Sequence, residues 1–358
     1  MAVMSDRQEL FAGTQAVTPH LAFDLGALTS YLRSNLPGFT GPIEASQFKG
    51  GQSNPTYLIH CPSSRYVLRR KPPGKLLPSA HAVEREFRVL SALHARGFPV
   101  PKPYLLCEDA SIIGTPFHLT AFVDGRIFWE PAAPGLGTDE RRALFRALNA
   151  TLAGLHSFDF GSAGLRDFGK GHDYVRRQIG RWSEQYRASM TETIPEMDAL
   201  IAWLPAAVPP QAGVALIHGD FRLDNCIVHP ERPEIVAVLD WELSTLGDPI
   251  ADFTYHLMQW HMPPGAGGVG SLRGREDLPG LPTMSAYVEE YCAHRGLPGI
   301  PDVAIYLAYN FFRLAAIFQG IVGRLRDGSA ANANAAMMIR QVKPMAEIAW
   351  RFAREAGA

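Results

Sequence analysis

The stretch LIHGDFRLDNCIV, residues 216–228, places four polar side chains between two apolar, β-prone runs. These side chains are His218, Asp220, Asp224 and Asn225. Polar side chains are costly to bury without partners. Four of them between two short strands therefore indicate a binding site. The apolar runs VALI before the motif and CIV after it predict short strands that hold the ends of the loop.

Asp220 and Asn225 have the spacing D-x-x-x-x-N, and VLDWE places Asp240 fifteen residues after Asn225, at the end of another apolar run. Phosphoryl transfer from ATP uses one carboxylate to orient and deprotonate a hydroxyl, and an amide oxygen and a second carboxylate to hold Mg²⁺. Because Mg²⁺ prefers oxygen ligands and keeps some of its waters, one Asn and one Asp suffice beside the nucleotide phosphates. The spacing therefore predicts a site for ATP and Mg²⁺.

A second candidate for nucleotide binding is FKGGQSNPTY, residues 48–57, a glycine turn between two strand-like runs. Gly50 and Gly51 allow the backbone to approach a ligand closely, and Ser53 and Asn54 offer hydrogen-bond donors to phosphate. A glycine turn by itself is also typical of an ordinary hairpin.

Arg69 lies near the end of the strand-like run YVLRR, residues 66–70, at a position where kinases carry a lysine. Two acidic residues of the next predicted helix, Glu84 and Glu86, could pair with it. At about 100° per residue, Glu86 lies roughly 60° from the apolar stripe that begins at Val83, whereas Glu84 lies about 100° away. We therefore predict that Glu86 pairs with Arg69.

The chain predicts an α+β fold with a small lobe followed by a larger helical lobe. Short β-prone runs, a leading helix over 23–35 and a helix over 80–94 make up the first part. Six helices are predicted after it, over 138–156, 171–190, 195–207, 283–295, 301–326 and 331–355. The Gly/Pro-rich segment 262–283 predicts a long, mobile loop.

Composition indicates an ordinary soluble protein. The 358 residues carry a formal net charge of -1, without the basic excess of a nucleic-acid binder. Four scattered cysteines form no CxxC pair, which favours free thiols. The first ten residues contain no apolar run of a signal peptide, and Asn310, Arg313 and Gln319 interrupt the apolar segment 304–323. We therefore expect a cytoplasmic protein without membrane or nucleic-acid partners, as a monomer or homodimer.

HGDFRLDN together with LDWELSTLGDPIAD resembles the aminoglycoside phosphotransferase family, which includes choline-kinase-like enzymes. YVLRRKPPGKLL, AHAVEREFRVL and FPVPKP look most like the subgroup found as kinase domains joined to acyl-CoA dehydrogenases. The resemblance extends from about residue 40 to 355 and implies a bilobal protein-kinase-like fold. The implied domains are an N-terminal helical arm over 1–39, an N-lobe with an antiparallel sheet and one helix over 40–123, and a C-lobe over 124–358.

The resemblance also implies roles for the motif residues. Asp220 resembles the catalytic base, and His218 shapes its loop. Asn225 and Asp240 resemble the magnesium ligands, and Glu242 resembles an acidic residue that reaches a second metal ion in choline-kinase-like members.

Further roles follow by position. Asp252 resembles a buried aspartate that braces the catalytic loop, and backbone groups near Ala121 and Val123 would meet adenine. Arg69 departs from the family's lysine, so its contact with phosphate would be a bidentate fork.

The acceptor is predicted from charge. Segment 301–358 holds seven Lys and Arg against four Asp and Glu, and 166–190 holds six against three, which favours an anionic acceptor. We expect a small hydroxy acid or hydroxyacyl thioester, with Arg313 either as a substrate contact or as a buried ion-pair partner. Three alternatives stay open: a kinase of aminoglycosides or other sugars and amino alcohols, a non-catalytic pseudokinase, and a two-metal phosphoesterase.

Overall fold

The computed structural model of the protein describes residues 8, 10–50, 54–62, 64–74, 81–265, 270–326 and 340–358. The chain divides into two compact units. Unit 1 comprises residues 1–130, 161–165 and 223–244, and unit 2 comprises residues 131–160, 166–222 and 245–358. Residues 223–244, which fall within the range 124–358 of the expected C-lobe, belong to unit 1.

Unit 1 contains an antiparallel sheet of six strands in the order β1-β2-β3-β4-β6-β5. The strands are β1 (Thr14–Gln15), β2 (Glu44–Phe48), β3 (Thr56–Cys61), β4 (Ser64–Arg70), β5 (Pro103–Cys107) and β6 (Phe117–Ala121). β2, β3 and β4 form the meander that their short, alternating runs predict. The register pairs Thr56 with Arg69, which places Arg69 near the end of β4.

Two helices with described bounds pack in unit 1, α1 (Leu25–Asn35) and α2 (Val83–His94). α1 begins as predicted at Asp24, whose side chain accepts hydrogen bonds from the backbone N–H groups of Gly26 and Ala27 at 2.7 and 2.9 Å. Leu28 and Leu32 of α1 lie in the same buried cluster as side chains of β3 and β6. The end of the segment expected as an N-terminal arm therefore contributes to the core of unit 1, through Leu28, Leu32, Leu36 and Phe39.

The second half of the motif forms a hairpin in unit 1. A 3₁₀ turn over Leu223–Asn225 leads into β8 (Cys226–Val228), which pairs with β9 (Ile235–Val238). The backbone N–H of Leu239 donates to the carbonyl oxygen of Asn225 at 2.8 Å. Trp241, 1% exposed, packs edge-on against Phe98 and anchors the chain that leaves the hairpin.

Unit 2 is mainly helical, with one short ladder in which β7 (Ala215–Ile217) pairs with β10 (Thr245–Gly247). Its helices are α3 (Thr138–His156), α4 (Tyr174–Ser189), α5 (Pro195–Ala207), α6 (Pro249–Leu257), α7 (Met284–Arg295), α8 (Val303–Arg326) and α9 (Val342–Glu355). All six predicted helices are present; residues 331–339 of the last prediction lie outside the described residues.

Helix α6 was not predicted from the sequence. Its start has a recognisable signature, because Asp248 accepts hydrogen bonds from the N–H groups of Ile250 and Ala251 and Pro249 occupies the first helical position. α8 is the apolar segment predicted as a core helix. Its residues Val303–Gly323 are long and apolar enough to cross a membrane, but 89% of the most apolar window is buried inside the fold, which confirms the core assignment.

The predicted mobile loop over 262–283 is hydrogen-bonded to other parts of unit 2 at Leu272 and at Pro279. Leu272 is fully buried, and its N–H donates to the carbonyl oxygen of Gln259 at 2.7 Å. The buried guanidinium of Arg141 donates to the carbonyl oxygen of Pro279 at 2.6 Å. The mobility of the segment stays a prediction; residues 266–269 lie outside the described part of the chain.

Candidate active site

In unit 2, the backbone that carries Asp220 is held by a buried carboxylate. Asp252 lies in the first turn of α6 and is 3% exposed. One of its oxygens accepts the N–H of His218 at 2.9 Å, and the other accepts the N–H of Gly219 at 2.8 Å. Gly219 has a φ of 86°, a conformation that costs glycine little, so the chain turns sharply just before Asp220.

Asp220 presents a partly exposed carboxylate at the end of this turn. Its side chain is 20% exposed, and one oxygen accepts the hydroxyl of Tyr255 at 2.6 Å and lies 3.2 Å from Nε of Arg222. The N–H of Asp220 donates to Nδ1 of His218, which is fully buried. His218 therefore contacts the backbone of the loop from inside unit 2.

Arg313 of α8 lies close to the same loop. Its guanidinium donates to the carbonyl oxygen of Gly219 at 3.3 Å and lies 5.3 Å from the centre of the Tyr255 ring. Among the described residues it forms no ion pair with a carboxylate, and its buried Nε finds no hydrogen-bond acceptor there. The sequence left two roles open for Arg313, a buried ion-pair partner or a substrate contact. Within the described chain, no carboxylate lies close enough to form the ion pair.

Three residues that the sequence analysis did not single out support the loop. His156 at the end of α3 contacts Asp252 through Nε2 at 3.1 Å and the hydroxyl of Tyr291 through Nδ1 at 2.6 Å. Burial lowers the pKa of His156, more than the neighbouring Asp252 raises it, which keeps the imidazole neutral. Tyr255 could have been found, because it lies three residues after Asp252 on one helix face; His156 and Tyr291 left no signal in the sequence.

In unit 1, the side chain of Arg69 joins three carboxylates. Its Nε lies 2.9 Å from Glu86, and its Nη2 lies 2.6 Å from Asp240 and 3.3 Å from Glu242. The predicted pairing with Glu86 is present, whereas Glu84 pairs with Lys71 at 2.9 Å nearer the surface. The helical geometry of α2 therefore identified the correct partner.

The charge of Arg69 determines the state of Glu86. Burial would raise the pKa of Glu86, but the adjacent guanidinium of Arg69 and a hydrogen bond with His118 lower this pKa to about 2. Burial acts in the opposite direction on Arg69, yet its three carboxylates raise its pKa above the usual range. Both side chains are therefore charged at neutral pH, although they are 4% and 11% exposed.

Asn225 and Asp240 lie at the same end of the β8–β9 hairpin, because Cys226 pairs with Val238 and Leu239 bonds back to Asn225. Asp240 has a φ of 63°, in the left-handed region that aspartate tolerates better than most residues. A backbone conformation of this kind, next to the buried Trp241, directs the carboxylate toward Arg69.

The predicted nucleotide contacts are met only in part. The buried amide of Asn54 donates to Glu242 at 3.1 Å and its oxygen contacts His81 at 3.0 Å, so it supports an acidic side chain where we expected a phosphate contact. Gly50 lies against the ring of Trp129, which a Cβ at this position would meet at 2.6 Å. Gly51 and Ser53 lie outside the described residues.

The two adenine contacts stay predictions. The N–H of Ala121, at the end of β6, donates to the carbonyl oxygen of Lys102 at 2.8 Å. It is thus already engaged within the sheet, which leaves the carbonyl oxygen of Ala121 and the backbone of Val123 as the groups that could reach a base.

The side chains of unit 1 fit a magnesium site in the chemistry of their donors. Asp240 and Glu242 supply hard oxygen ligands, and both meet the same cationic nitrogen of Arg69. No group of three or more His, Cys, Asp or Glu residues in the described part of the chain could hold a metal ion. The remaining ligands would therefore be an amide, waters and nucleotide phosphates.

Comparison with known proteins identifies the family. A model of the phosphotransferase enzyme family matches residues 44–287. Acyl-CoA dehydrogenase family member 10 of Mus musculus is 47% identical over 349 residues, which is 96% of this chain but 32% of that protein. The chain thus spans about a third of the length of this relative.

Two solved structures share the fold. A Ralstonia eutropha protein provisionally named as an aminoglycoside phosphotransferase is 43% identical with a TM-score of 0.85, covering 93% of this chain and 99% of its own. A choline kinase from Cryptosporidium parvum has a TM-score of 0.61 at 13% identity, covers 93% and 98% of the two chains, and shows the fold alone. The predicted α+β, kinase-like fold is thereby confirmed. The chain belongs to the phosphotransferase enzyme family.

Proposed function

We propose that the protein transfers the γ-phosphoryl group of ATP to a hydroxyl group of a small molecule, with Mg²⁺ as the second cofactor. The observation that carries the proposal is the loop of Asp220. Its backbone is fixed by two hydrogen bonds to the buried Asp252, and its carboxylate remains partly exposed to a ligand. A carboxylate on a rigid backbone is what a general base for an alcohol requires.

In this reaction Asp220 accepts the proton of the acceptor hydroxyl. The hydroxyl oxygen forms a bond to the γ-phosphorus, the bond from that phosphorus to the β–γ bridging oxygen breaks, and ADP leaves. Asn225, Asp240 and Glu242 would hold Mg²⁺, which neutralises the charge on the phosphate oxygens. Tyr255 holds the carboxylate of Asp220 in one orientation through its hydroxyl.

The acceptor that we propose is anionic, a hydroxy acid or a hydroxyacyl thioester. Arg313 supports this choice, because its partly buried cation lies beside the loop of Asp220 and has no carboxylate partner among the described residues. A cation beside this loop attracts an anionic group and repels a polycation such as an aminoglycoside. The carboxylate or thioester end of the acceptor would contact Arg313 while its hydroxyl reaches Asp220.

Transfer of ³²P from [γ-³²P]ATP to panels of hydroxy acids, hydroxyacyl thioesters and kanamycin-type amines tests the proposal. We expect labelled hydroxy acids or thioesters with the wild type and none with Asp220→Asn. Arg313→Met should raise KM for the anionic acceptor and leave KM for ATP unchanged. Label only in cationic sugars would contradict the anionic acceptor, and bound ATP without transfer to any acceptor would favour a pseudokinase.

A further inference from the structure

The acidic pair Asp240 and Glu242 already has a cation. One nitrogen of Arg69, Nη2, contacts an oxygen of each side chain, at 2.6 and 3.3 Å. Two carboxylates that approach one nitrogen repel each other unless positive charge lies between them. The guanidinium therefore supplies, in the protein alone, the charge that a metal ion would supply to the same pair.

The charges around Arg69 leave room for a dication. One guanidinium faces the three carboxylates of Glu86, Asp240 and Glu242, and the amide of Asn54 on Glu242 is neutral. Among these side chains the carboxylates outnumber the guanidinium, and two histidines lie nearby: His118 at 3.6 Å from Glu86, and His81 at 3.0 Å from the amide oxygen of Asn54.

Exposure differs across this cluster. The side chains of Asp240 and Glu242 are 31% and 20% exposed, whereas those of Arg69 and Glu86 are 11% and 4% exposed. A metal ion can therefore approach the acidic pair from solvent while Arg69 reaches it from the protein side.

An arginine is needed for this arrangement. The Nε of Arg69 binds Glu86 while its Nη2 reaches the acidic pair, so the fork bridges two separate acidic groups. A lysine has a single ammonium nitrogen, so it would have to reach Glu86 and the acidic pair from one atom. The departure from the family's lysine thus acquires a physical consequence.

We propose that Arg69 is a built-in competitor of the metal ion at the Asp240–Glu242 pair. Without nucleotide its guanidinium offsets part of the negative charge of the pair and weakens binding of free Mg²⁺. When nucleotide phosphates attract the guanidinium, the pair is released to the metal, so metal and nucleotide load together. The inference rests on the proposed role of these carboxylates as metal ligands.

Binding of Mn²⁺ to the nucleotide-free chain, measured from the electron paramagnetic resonance signal of free Mn²⁺, tests the competition. Removing the contacting cation by Arg69→Met should tighten Mn²⁺ binding at least about tenfold. Lys71→Met is the matched control. It removes a cation two positions further along the chain, which pairs with Glu84 and not with the acidic pair. The affinity of Lys71→Met for Mn²⁺ should stay within about twofold of wild type.

Two further variants keep the test decisive. Arg69→Met combined with Glu86→Met removes both buried charges, so it replaces the single variant if an unpaired Glu86 prevents folding. Asp240→Asn in the Arg69→Met background should abolish the gain. Mn²⁺ binding that is no tighter in Arg69→Met than in Lys71→Met, or a gain that survives Asp240→Asn, would overturn the inference. Because this readout needs no acceptor, failure to find phosphoryl transfer would count against the proposed function alone.

Discussion

At the scale of single residues, Arg69 and Glu86 show how a buried charge is tolerated. Each is almost removed from solvent, and each is compensated by the other at 2.9 Å. Such a pair adds little stability compared with apolar side chains of similar size, but removal of one partner leaves the other charged and buried. Their position beside Asp240 and Glu242 favours a functional reason for the pair.

Glu86→Gln should reduce the free energy of unfolding at pH 7 by about 3–5 kcal/mol, because it leaves the buried cation of Arg69 without this partner. The pKa of Glu86 falls from 4.5 to about 2 on folding, so the folded state binds the proton more weakly than the unfolded state. The stability that the carboxylate contributes is therefore full above 4.5 and is lost as pH falls from 4.5 toward 2.

Urea unfolding of wild type and Glu86→Gln at pH 7 and pH 3.5 measures this difference, which should shrink on acidification. Glu84→Gln is the control, because Glu84 is 40% exposed and its pair with Lys71 should contribute about 0–1 kcal/mol. An equal loss in both variants, or a difference that grows in acid, would contradict the assignment.

At the scale of elements, the loop of Asp220 depends on helix α6. The helix begins at Pro249 and carries Asp252 in its first turn, where the carboxylate meets two N–H groups of the loop. The loop is thus positioned by a different element from the one that bears it. This explains why the bracing role of Asp252 followed from the resemblance and not from the local pattern.

Asp252→Asn should lower kcat about 100-fold, since one amide cannot accept both N–H groups equally well and the loop of Asp220 shifts. KM for ATP should stay unchanged, which separates a shifted loop from a general loss of folding. Asp248→Asn is the matched control on the same helix, because asparagine caps a helix as well as aspartate does. Steady-state kinetics of both variants provide the test, and equal losses would argue against a positioning role.

Gly125 lies against strand β8 of the β8–β9 hairpin. A Cβ there would meet Cγ2 of Ile227 at 2.3 Å and the carbonyl oxygen of Val228 at 2.5 Å. Gly125→Ala should therefore destabilise the protein by about 1–3 kcal/mol through overpacking. Gly154→Ala, in helix α3 with no atom within 4 Å of its Cβ, should stabilise it by about 0.5–1 kcal/mol. Thermal unfolding compares them, and changes of equal sign would contradict this packing.

At the scale of the whole molecule, most of the fold could be predicted because its signals are local. The meander, the cap of α1 and the helices of unit 2 follow from alternation, capping residues and apolar periodicity. Helix α6 escaped because it has only nine residues and begins with Asp-Pro, a pair that also indicates a turn.

The candidate site was predictable in its residues and less so in its contacts. The spacing of Asp220, Asn225 and Asp240 and the helical geometry of Glu86 are properties of short segments. The contact of Arg69 with Asp240 joins residues 171 positions apart, and that of Asn54 with Glu242 joins residues 188 apart. Contacts at such separations depend on tertiary packing, which local patterns do not encode.

The residues with proposed roles are distributed over the two units. Asp220, Asp252 and Arg313 belong to unit 2, whereas Asn225, Asp240 and Glu242 belong to unit 1. The chain passes from one unit to the other within the motif itself, after Arg222. A single segment of eight residues thus supplies both the proposed base and a proposed metal ligand.

The most direct test of the central claim is the rate of Mg²⁺-dependent ADP formation in the presence of an acceptor that the wild type phosphorylates. This rate is compared between Asp220→Asn and Asp224→Asn. Both variants remove one carboxylate from the same motif, but only Asp220 is proposed to accept the proton of the hydroxyl. Asp220→Asn should lower kcat by about 10²–10⁴-fold, and Asp224→Asn should remain within about threefold of wild type. Wild-type turnover by Asp220→Asn, with its fold confirmed by circular dichroism, would contradict the account.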